Sequence, residues 1–504
     1  MASNHRAVVM GVAGVCALFY WAAGQQPASQ GQEPAKAPGP QTTERDHFAL
    51  GQEAEQSGRY EDAIGEYSRV IDQRPEDATG YLFRGRANAG AGRWEAAVRD
   101  YTKAIEHSPG SSAGYLWRGD ALAALGKDKE ALADYAKAIE LDPRNGYFSR
   151  AEAYRSRGRL AEAFSDYEKL IALDPKEGYR LRAYAYLGLG ENEKAMADWD
   201  SAVRADPDNF LRYVERASMY AGLGQYEKAI VDCDKAIELA PKRDTGYLVR
   251  SWIRAKQGQY DKAIADATGA IGVAPREPSV YLSRSGLYRA TGQYEKAIAD
   301  CTKALELQPN SEAALVARGG SYYDSGNYAR AFADYTEVVR LAPTRSGSYA
   351  YRGLAHFCRG NYQDAVADFT AALKYAGSGK RRCRGVIWLF LAQRRAGDAA
   401  AKAHLEEFAK AQADAKDWPG AAVQLFLGAT TPEECLKAAD SKNKAESLEK
   451  RCEAYFYIGH WYLLQGKAAL AKESFQKSLA TGATDSYAYE WAKRSMDMPP
   501  LGKP

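Results

Sequence analysis

Arginine and aspartate recur at a fixed separation along much of this 504-residue chain. Each of nine arginines at one repeated position is followed sixteen residues later by an aspartate. Such arginines could line a groove for an acidic ligand, or they could pair with the carboxylates and join neighbouring helices. Equal numbers in strict register favour the structural pairing. The pairs are Arg84 with Asp100, Arg118 with Asp134, Arg150 with Asp166, Arg182 with Asp198, Arg216 with Asp232, Arg250 with Asp266, Arg284 with Asp300, Arg318 with Asp334, and Arg352 with Asp368.

Residues that commonly perform catalysis or hold metals do not gather into a recognisable motif. The six histidines are scattered and include no HExxH pair, and the chain has no CxxC sequence. The stretch Gly377-Ser378-Gly379-Lys380 lacks the upstream glycine and the following Ser or Thr of a phosphate-binding loop. We therefore predict no catalytic residue, no metal site and no cofactor.

The elements that position these side chains follow from regularly placed prolines. Nine prolines are spaced 34 or 32 residues apart, which is typical of a stacked repeat array and not of separate globular cores. Apolar residues around Tyr281 and Leu287 predict a first helix that ends at Gly292, and a second helix begins at Tyr294. The prolines are Pro75, Pro109, Pro143, Pro175, Pro207, Pro241, Pro275, Pro309 and Pro343.

This pattern resembles the tetratricopeptide repeat (TPR) family. The resemblance rests on a recurring aromatic, Gly or Ala, aromatic, Ala, Tyr, Ala and Pro series. One copy consists of Tyr81, Gly85, Trp94, Ala97, Tyr101, Ala104 and Pro109. The resemblance implies an all-α fold, in which antiparallel helix pairs stack into a right-handed solenoid, with ten repeats over residues 44–376.

TPR-like proteins bind their ligands along the concave face formed by the first helices, so the resemblance also implies a groove. Its residues here are apolar and aromatic with scattered charge, which suits an amphipathic helix or an extended peptide. Packing between repeats is an equally open interpretation for each residue. The predicted groove residues are Leu82, Arg86, Leu116, Phe148, Arg155, Tyr184, Val214, Leu248, Trp252, Leu282, Arg289 and Tyr323.

The C-terminal quarter departs from the strict repeat. Residues 377–416 predict a degenerate helix pair, residues 417–497 a further helical region with a capping helix from Tyr487 to Met496, and 498–504 a tail. Thr431 can cap a helix while Glu434 closes a capping box. The sequence from Trp418 to Met496 resembles the NlpI-like TPR lipoproteins of bacterial envelopes. That resemblance implies an adaptor for peptidoglycan hydrolases and a protease that regulates them.

Six cysteines follow the N-terminal apolar segment. Cys233 and Cys301 fall at the aromatic core position of the second helix, so we interpret them as small buried apolar residues. In an oxidising compartment two pairs could form disulfides, Cys358 with Cys383 or Cys435 with Cys452. The sequence favours Cys435 with Cys452, although it does not fix the connectivity.

The N-terminal sequence predicts an export signal. Residues 7–24 form an apolar run of eighteen residues without an ionisable acid or base, so residues 1–24 are either a cleaved signal peptide or a retained membrane anchor. Residues 25–43 are rich in Pro, Gln and Ala and predict a disordered linker. We expect an exported protein, either periplasmic or anchored in the membrane and facing the periplasm.

The net charge of the chain argues against one class of function, the binding of nucleic acid. The formal charge of +3 excludes a uniformly basic face, so we predict no binding of nucleic acid. We expect a non-catalytic scaffold that binds other proteins, among them peptidoglycan hydrolases or a protease, with a homo-oligomer left open. Two alternatives remain: the regulatory arm of an enzyme with its chemistry in the C-terminal quarter, and a cytoplasmic TPR cochaperone.

Overall fold

A computed structural model describes residues 44–376, 380–411, 418–441, 443–483 and 486–496. The predicted signal or anchor, the linker and the tail at 498–504 lie outside these ranges. The described residues form twenty-seven α-helices and no strand, so the all-α array of stacked helix pairs is confirmed. None of the described helices has the length and apolarity needed to cross a membrane. The chain divides into two compact units, Met1–Ala240 and Pro241–Pro504.

The described part of the first unit contains six helix pairs, in each of which helix A is followed by helix B. Helix B also packs against helix A of the next pair. The helices are α1 (Glu44–Gln56), α2 (Tyr60–Gln73), α3 (Ala78–Gly90), α4 (Trp94–His107), α5 (Ser112–Ala124), α6 (Asp128–Leu141), α7 (Pro143–Ser156), α8 (Leu160–Leu173), α9 (Pro175–Leu189), α10 (Asn192–Ala205), α11 (Phe210–Gly222) and α12 (Tyr226–Leu239).

The described part of the second unit continues with four more such pairs and then less regular helices. The regular pairs are α13 (Thr245–Lys256), α14 (Tyr260–Val273), α15 (Pro278–Ala290), α16 (Tyr294–Leu307), α17 (Glu312–Asp324), α18 (Tyr328–Leu341), α19 (Ser346–Cys358) and α20 (Tyr362–Tyr375). The remaining helices are α21 (Lys380–Arg395), α22 (Ala401–Ala411), α23 (Gly420–Leu427), α24 (Pro432–Ala438), α25 (Lys444–Leu464), α26 (Ala468–Ala480) and α27 (Tyr487–Ser495).

The turn between helix A and helix B depends on glycine. Gly92 has a φ of 76°, a left-handed conformation that side chains with a Cβ disfavour. Its N–H donates to the carbonyl of Ala89, and the N–H of Arg93 donates to the carbonyl of Asn88. These bonds satisfy carbonyls that the end of helix A would otherwise leave unpaired. Equivalent glycines with positive φ recur in the later turns.

Small residues allow helix A and helix B to approach closely. A Cβ on Gly85 would lie 2.6 Å from the Tyr101 ring, and Ala97 is fully buried. Tyr101 is itself 2% exposed, so the ring has no water-filled space into which it could move. The glycine and the tyrosine therefore form one packing unit across the pair.

Two connections between repeats are unusually short. Asp142 ends α6, where its N–H donates to the carbonyl of Ala138, and its carboxylate accepts the N–H of Asn145 at the start of α7. Pro143 occupies the first turn of α7, where a helix needs no N–H donor. Asp174 and Pro175 repeat this arrangement between α8 and α9. The two 32-residue spacings thus correspond to helices that share a single capping residue.

In the C-terminal part, α24 carries the predicted capping box. The Thr431 hydroxyl accepts the backbone N–H of Glu434, and the Glu434 carboxylate accepts the N–H of Thr431. The prediction is confirmed. The last helix, α27, packs against α25 and α26, and its side chains also reach helix α17 of the regular pairs and helix α21.

Candidate functional site

The arginines in register lie inside the helix pairs. Arg118 donates from Nε and Nη2 to the two oxygens of Asp134, both at 2.7 Å, and from Nη1 to the hydroxyl of Thr102 on the preceding helix B at 3.2 Å. Asp134 is 6% exposed, and its hydrogen bonds raise the pKa of Arg118. All three nitrogens of the guanidinium therefore donate to side chains of the protein itself. The arginine does not line a groove for an acidic ligand.

The other arginines make the same contact between helix A and helix B. In the first repeat, which has no arginine at this position, Glu66 is instead paired with His47 at 2.7 Å. The Nη2 to Oδ1 distances are 2.6 Å for Arg84 with Asp100, 2.7 Å for Arg150 with Asp166, 2.8 Å for Arg182 with Asp198, 2.7 Å for Arg216 with Asp232, 2.7 Å for Arg250 with Asp266, 2.8 Å for Arg284 with Asp300, 2.8 Å for Arg318 with Asp334, and 2.6 Å for Arg352 with Asp368.

Residues of the first two helix pairs line a cleft at the N-terminal end of the described chain. The cleft has a volume of about 530 Å³, and Glu55 and Arg86 are among its lining residues. Arg86 donates to both oxygens of Glu55, at 2.6 and 2.8 Å, and its guanidinium lies 4.4 Å from the centre of the Phe83 ring. Tyr67 also donates to Glu55, at 3.0 Å. Arg86 is thus held in place by the protein itself.

Two further carboxylates on helices A of the first unit accept hydrogen bonds from buried tyrosines. Tyr167 donates to Glu152 at 2.6 Å, and Glu152 also accepts from Arg155. Tyr135 donates to Asp120 at 2.7 Å. Burial raises the pKa of Asp120, while the hydrogen bond from Tyr135 opposes that shift. Among the described residues no cation pairs with Asp120, which distinguishes it from Glu55 and Glu152.

The structure separates the predicted groove residues of the first unit into exposed and buried ones. Phe148 is 38% exposed, and Leu82 and Tyr184 are partly exposed. The prediction that Leu116 and Val214 lie in the groove is corrected, because both side chains are buried, with exposed fractions of 8% and 2%. Leu116 packs in the core formed with Leu122 and Tyr135, while Val214 lies in the stretch of α11 that ion pairs hold against α9. Tyr184 packs edge-on against Trp199, with ring centres 5.1 Å apart.

Those ion pairs form a charged cluster that the sequence did not predict. Arg212, only 8% exposed, is paired with Glu177, and Arg180 donates to Glu177 at 2.6 Å. Arg212 also lies 3.1 Å from Glu215, whose pKa is raised by burial. Arg180 stands where other repeats have an apolar residue, and this break in the pattern was the signal available in the sequence.

In the second unit the predicted groove is partly filled by α27. The prediction that Tyr323 lies in an open groove is corrected, because Tyr323 is only 6% exposed and is covered by Trp491 and Arg494 of α27. Arg289 is paired with Asp324. Leu248 and Leu282 pack against the core at Tyr281, and Trp252 is partly exposed.

The predicted disulfide is also corrected, because Cys435 and Cys452 are not joined to each other and both are thiols in the structure. Cys452 on α25 lies 3.3 Å from the hydroxyl of Ser478 on α26, so its sulfur faces that helix. Cys435 on α24 is fully buried, and burial raises its pKa to about 12, which keeps the sulfur in the unreactive thiol form.

The polar residues of the C-terminal quarter are engaged in packing. His460 is 2% exposed and is hydrogen-bonded to Ser495 at 3.1 Å, and burial lowers its pKa to about 3. Glu453 accepts from Arg384 at 2.5 and 2.9 Å and from the Trp418 indole at 2.9 Å. No set of three or more His, Cys, Asp or Glu side chains in the described ranges is arranged to hold a metal ion.

Comparison with solved structures finds many stacked-helix proteins. Yeast Tom70 is 16% identical with a TM-score of 0.39, and the match covers 90% of this chain and 96% of that chain. YrrB, described as a TPR protein with an unusual peptide-binding site, is 18% identical with a TM-score of 0.29, covering 35% and 91%. Pseudomonas aeruginosa PilF is 16% identical with a TM-score of 0.34, covering 40% and 93%. These values are too low to transfer any property of those proteins.

No curated protein sequence matches the chain. The family comparison is informative, since the tetratricopeptide repeat matches residues 48–111, 85–146, 146–177, 212–243, 248–312, 288–346 and 316–381. Together these ranges cover more than half of the chain. The stacked helix pairs and these matches show that the chain belongs to the tetratricopeptide repeat family.

Proposed function

We propose that this TPR protein is a non-catalytic scaffold that holds a segment of a partner protein on its first-unit surface. By first-unit surface we mean five helix A residues that are exposed or partly exposed, namely Glu55, Arg86, Asp120, Phe148 and Glu152. The observation that carries the proposal is Asp120, an exposed carboxylate that no cation neutralises among the described residues. A lysine or arginine of a partner would supply the missing positive charge.

An apolar side chain is available on a neighbouring helix. Helix α5, which carries Asp120, contacts helix α7, which carries Phe148. Phe148 leaves 38% of its surface in water, although a large apolar side chain gains free energy when it is covered. The pair suits a segment that carries a basic residue beside an apolar one, and exposed aromatic residues often contribute most of the energy of such interfaces.

The proposal can be tested by capture of partner proteins from cell-envelope extracts on the immobilised full-length chain. We expect the double variant Asp120→Asn/Phe148→Ala to bind its partner at least tenfold more weakly and to capture correspondingly less protein, since each lost anchor costs on the order of 1–2 kcal/mol of binding. The control is Val231→Ala, which removes a 65% exposed apolar side chain from a helix B. Equal capture by the double variant and the wild type would exclude this surface as the binding site.

We also propose that the scaffold works in the bacterial cell envelope and brings together cell-wall hydrolases or a protease that controls them. The apolar run at residues 7–24 and the NlpI-like sequence between Trp418 and Met496 support this location and this class of partner. A fusion to a reporter that is active only after export tests the location. A full-length fusion that is produced but shows no reporter activity would contradict export and would favour a cochaperone.

A further inference from the structure

The last helix of the second unit has the form of a ligand for the repeats before it. Helix α27 buries one stripe formed by Ala488, Trp491, Ala492 and Ser495, each at most 5% exposed. The spacing of three, four and seven residues is that of an amphipathic helix lying in a groove. The neighbouring Lys493 is exposed, so the helix has a distinct outer face.

An aromatic residue anchors α27. The Trp491 ring centre lies 4.4 Å from that of Trp388 on α21 and 5.3 Å from that of Tyr323 on α17. The resemblance to TPR repeats predicts Tyr323 as a groove residue. The helix therefore covers a residue of the predicted groove and does more than close the end of the array.

A charged residue three positions later completes the contact. Arg494 donates to Asp324 at 2.5 Å, and its guanidinium lies 4.3 Å from the centre of the Tyr323 ring. Asp324 also accepts from Arg289 on α15, so its carboxylate is enclosed by two guanidinium groups. Its side chain is 6% exposed, and a buried carboxylate of this kind strongly favours a cationic partner over none.

We propose that the surface formed by Arg289, Tyr323, Asp324 and Trp388, here named the α27 site, binds a helix of a partner protein. The partner helix carries an aromatic residue followed three positions later by an arginine, and it displaces α27 when it binds. This site lies in the second unit and is separate from the surface proposed above. The structure shows its chemistry directly, because α27 occupies it with Trp491 and Arg494.

Two features make α27 suited to displacement. It is joined to α26 by a short segment, which would hold a displaced α27 near the site and available to return. Its fit is also incomplete, since Nη1 of Arg494 is buried without a hydrogen-bond partner in the described structure. An unpaired buried N–H weakens a contact, and a partner that satisfies it binds more tightly.

The test uses the full-length chain and a labelled synthetic peptide with the sequence of residues 484–498 as the probe, followed by fluorescence anisotropy. We expect the double variant Trp491→Ala/Arg494→Ala to bind this peptide at least tenfold more tightly than the wild type. An internal helix that fills the site for nine-tenths of the time lowers the apparent affinity about tenfold. The substitution Asp324→Asn in the double variant should abolish the gain.

The matched control is Lys493→Ala, which changes the outer face of the same helix and should bind the peptide as the wild type does. A peptide with alanine in place of its arginine should not bind, and Asp120→Asn in the first unit should change nothing. If the double variant is unfolded by circular dichroism, Arg494→Ala alone replaces it. Equal peptide affinity of the folded variant and the wild type would overturn the proposal. A wild-type dimer whose peptide affinity rises on dilution would overturn it in favour of a second copy as occupant.

Discussion

Replacing Arg118 by methionine separates the two interpretations of the repeated arginines. The substitution keeps the length of the side chain but removes two hydrogen bonds of 2.7 Å and leaves Asp134, 6% exposed, without its cation. Breaking a buried pair costs about 3–5 kcal/mol. Because the Arg118 side chain remains 22% exposed, water compensates in part, and we expect a loss of about 2–3 kcal/mol.

The assay is urea unfolding followed by tryptophan fluorescence and circular dichroism. Repeat arrays can unfold in several steps, so the comparison uses the transition that Arg118→Met shifts. The double variant Arg118→Met/Asp134→Leu should recover most of the loss, because it leaves no buried carboxylate unpaired. The control Lys137→Met, on an exposed pair with Glu140, should change nothing measurable. A stable Arg118→Met variant that captures less partner protein would refute the structural interpretation.

Three further predictions concern single residues. Gly85→Ala places a Cβ 2.6 Å from Tyr101, and we expect the free energy of unfolding to fall by about 1–2 kcal/mol, because overpacking outweighs the better helix propensity of alanine; thermal melting measures it. Asp120→Asn should stabilise the protein slightly at pH 7, since the surrounding helices partly desolvate this carboxyl and raise its pKa although the residue keeps surface in water; the gain should vanish below about pH 4, and unchanged urea midpoints at pH 7 would contradict it. His460 stays neutral in the fold, where its pKa is about 3, whereas an exposed histidine has a pKa of 6.5. Because only the unfolded chain takes up this proton, the free energy of unfolding should fall below pH 6.5 by about 1.4 kcal/mol per pH unit. His460→Asn should remove this contribution to the pH dependence of stability measured by urea unfolding.

The repeat pattern predicted the helix pairs because the same contacts recur in each of them. Gly85 against Tyr101 and Arg118 with Asp134 are local to one pair, so one copy of the sequence already contains both partners. Which residues stay exposed could not be predicted in the same way. Leu116 occupies the same repeat position as Phe148, yet Leu116 is 8% exposed in the core formed with Leu122 and Tyr135, while Phe148 is 38% exposed.

The position of α27 shows where sequence periodicity stops being informative. Arg494 meets Asp324 across 170 residues, and no repeat relates the two positions. The sequence predicted a capping helix at Tyr487 to Met496, but it contained no signal for the groove into which that helix turns. The same limit explains the corrected disulfide, since the orientation of Cys452 toward Ser478 depends on how α25 packs against α26.

The two shared capping residues have a mechanical consequence. Solenoids bend by small rotations between successive repeats, and a connecting loop of several residues absorbs such a rotation. Asp142 and Asp174 each end one helix and begin the next, and each carboxylate accepts a hydrogen bond from the new helix. No connecting loop is therefore present at these two positions to absorb a rotation. The stretch from α6 to α9 should therefore deform little under tension. Elastic deformation of the first unit should be concentrated in the repeats on either side of this stretch.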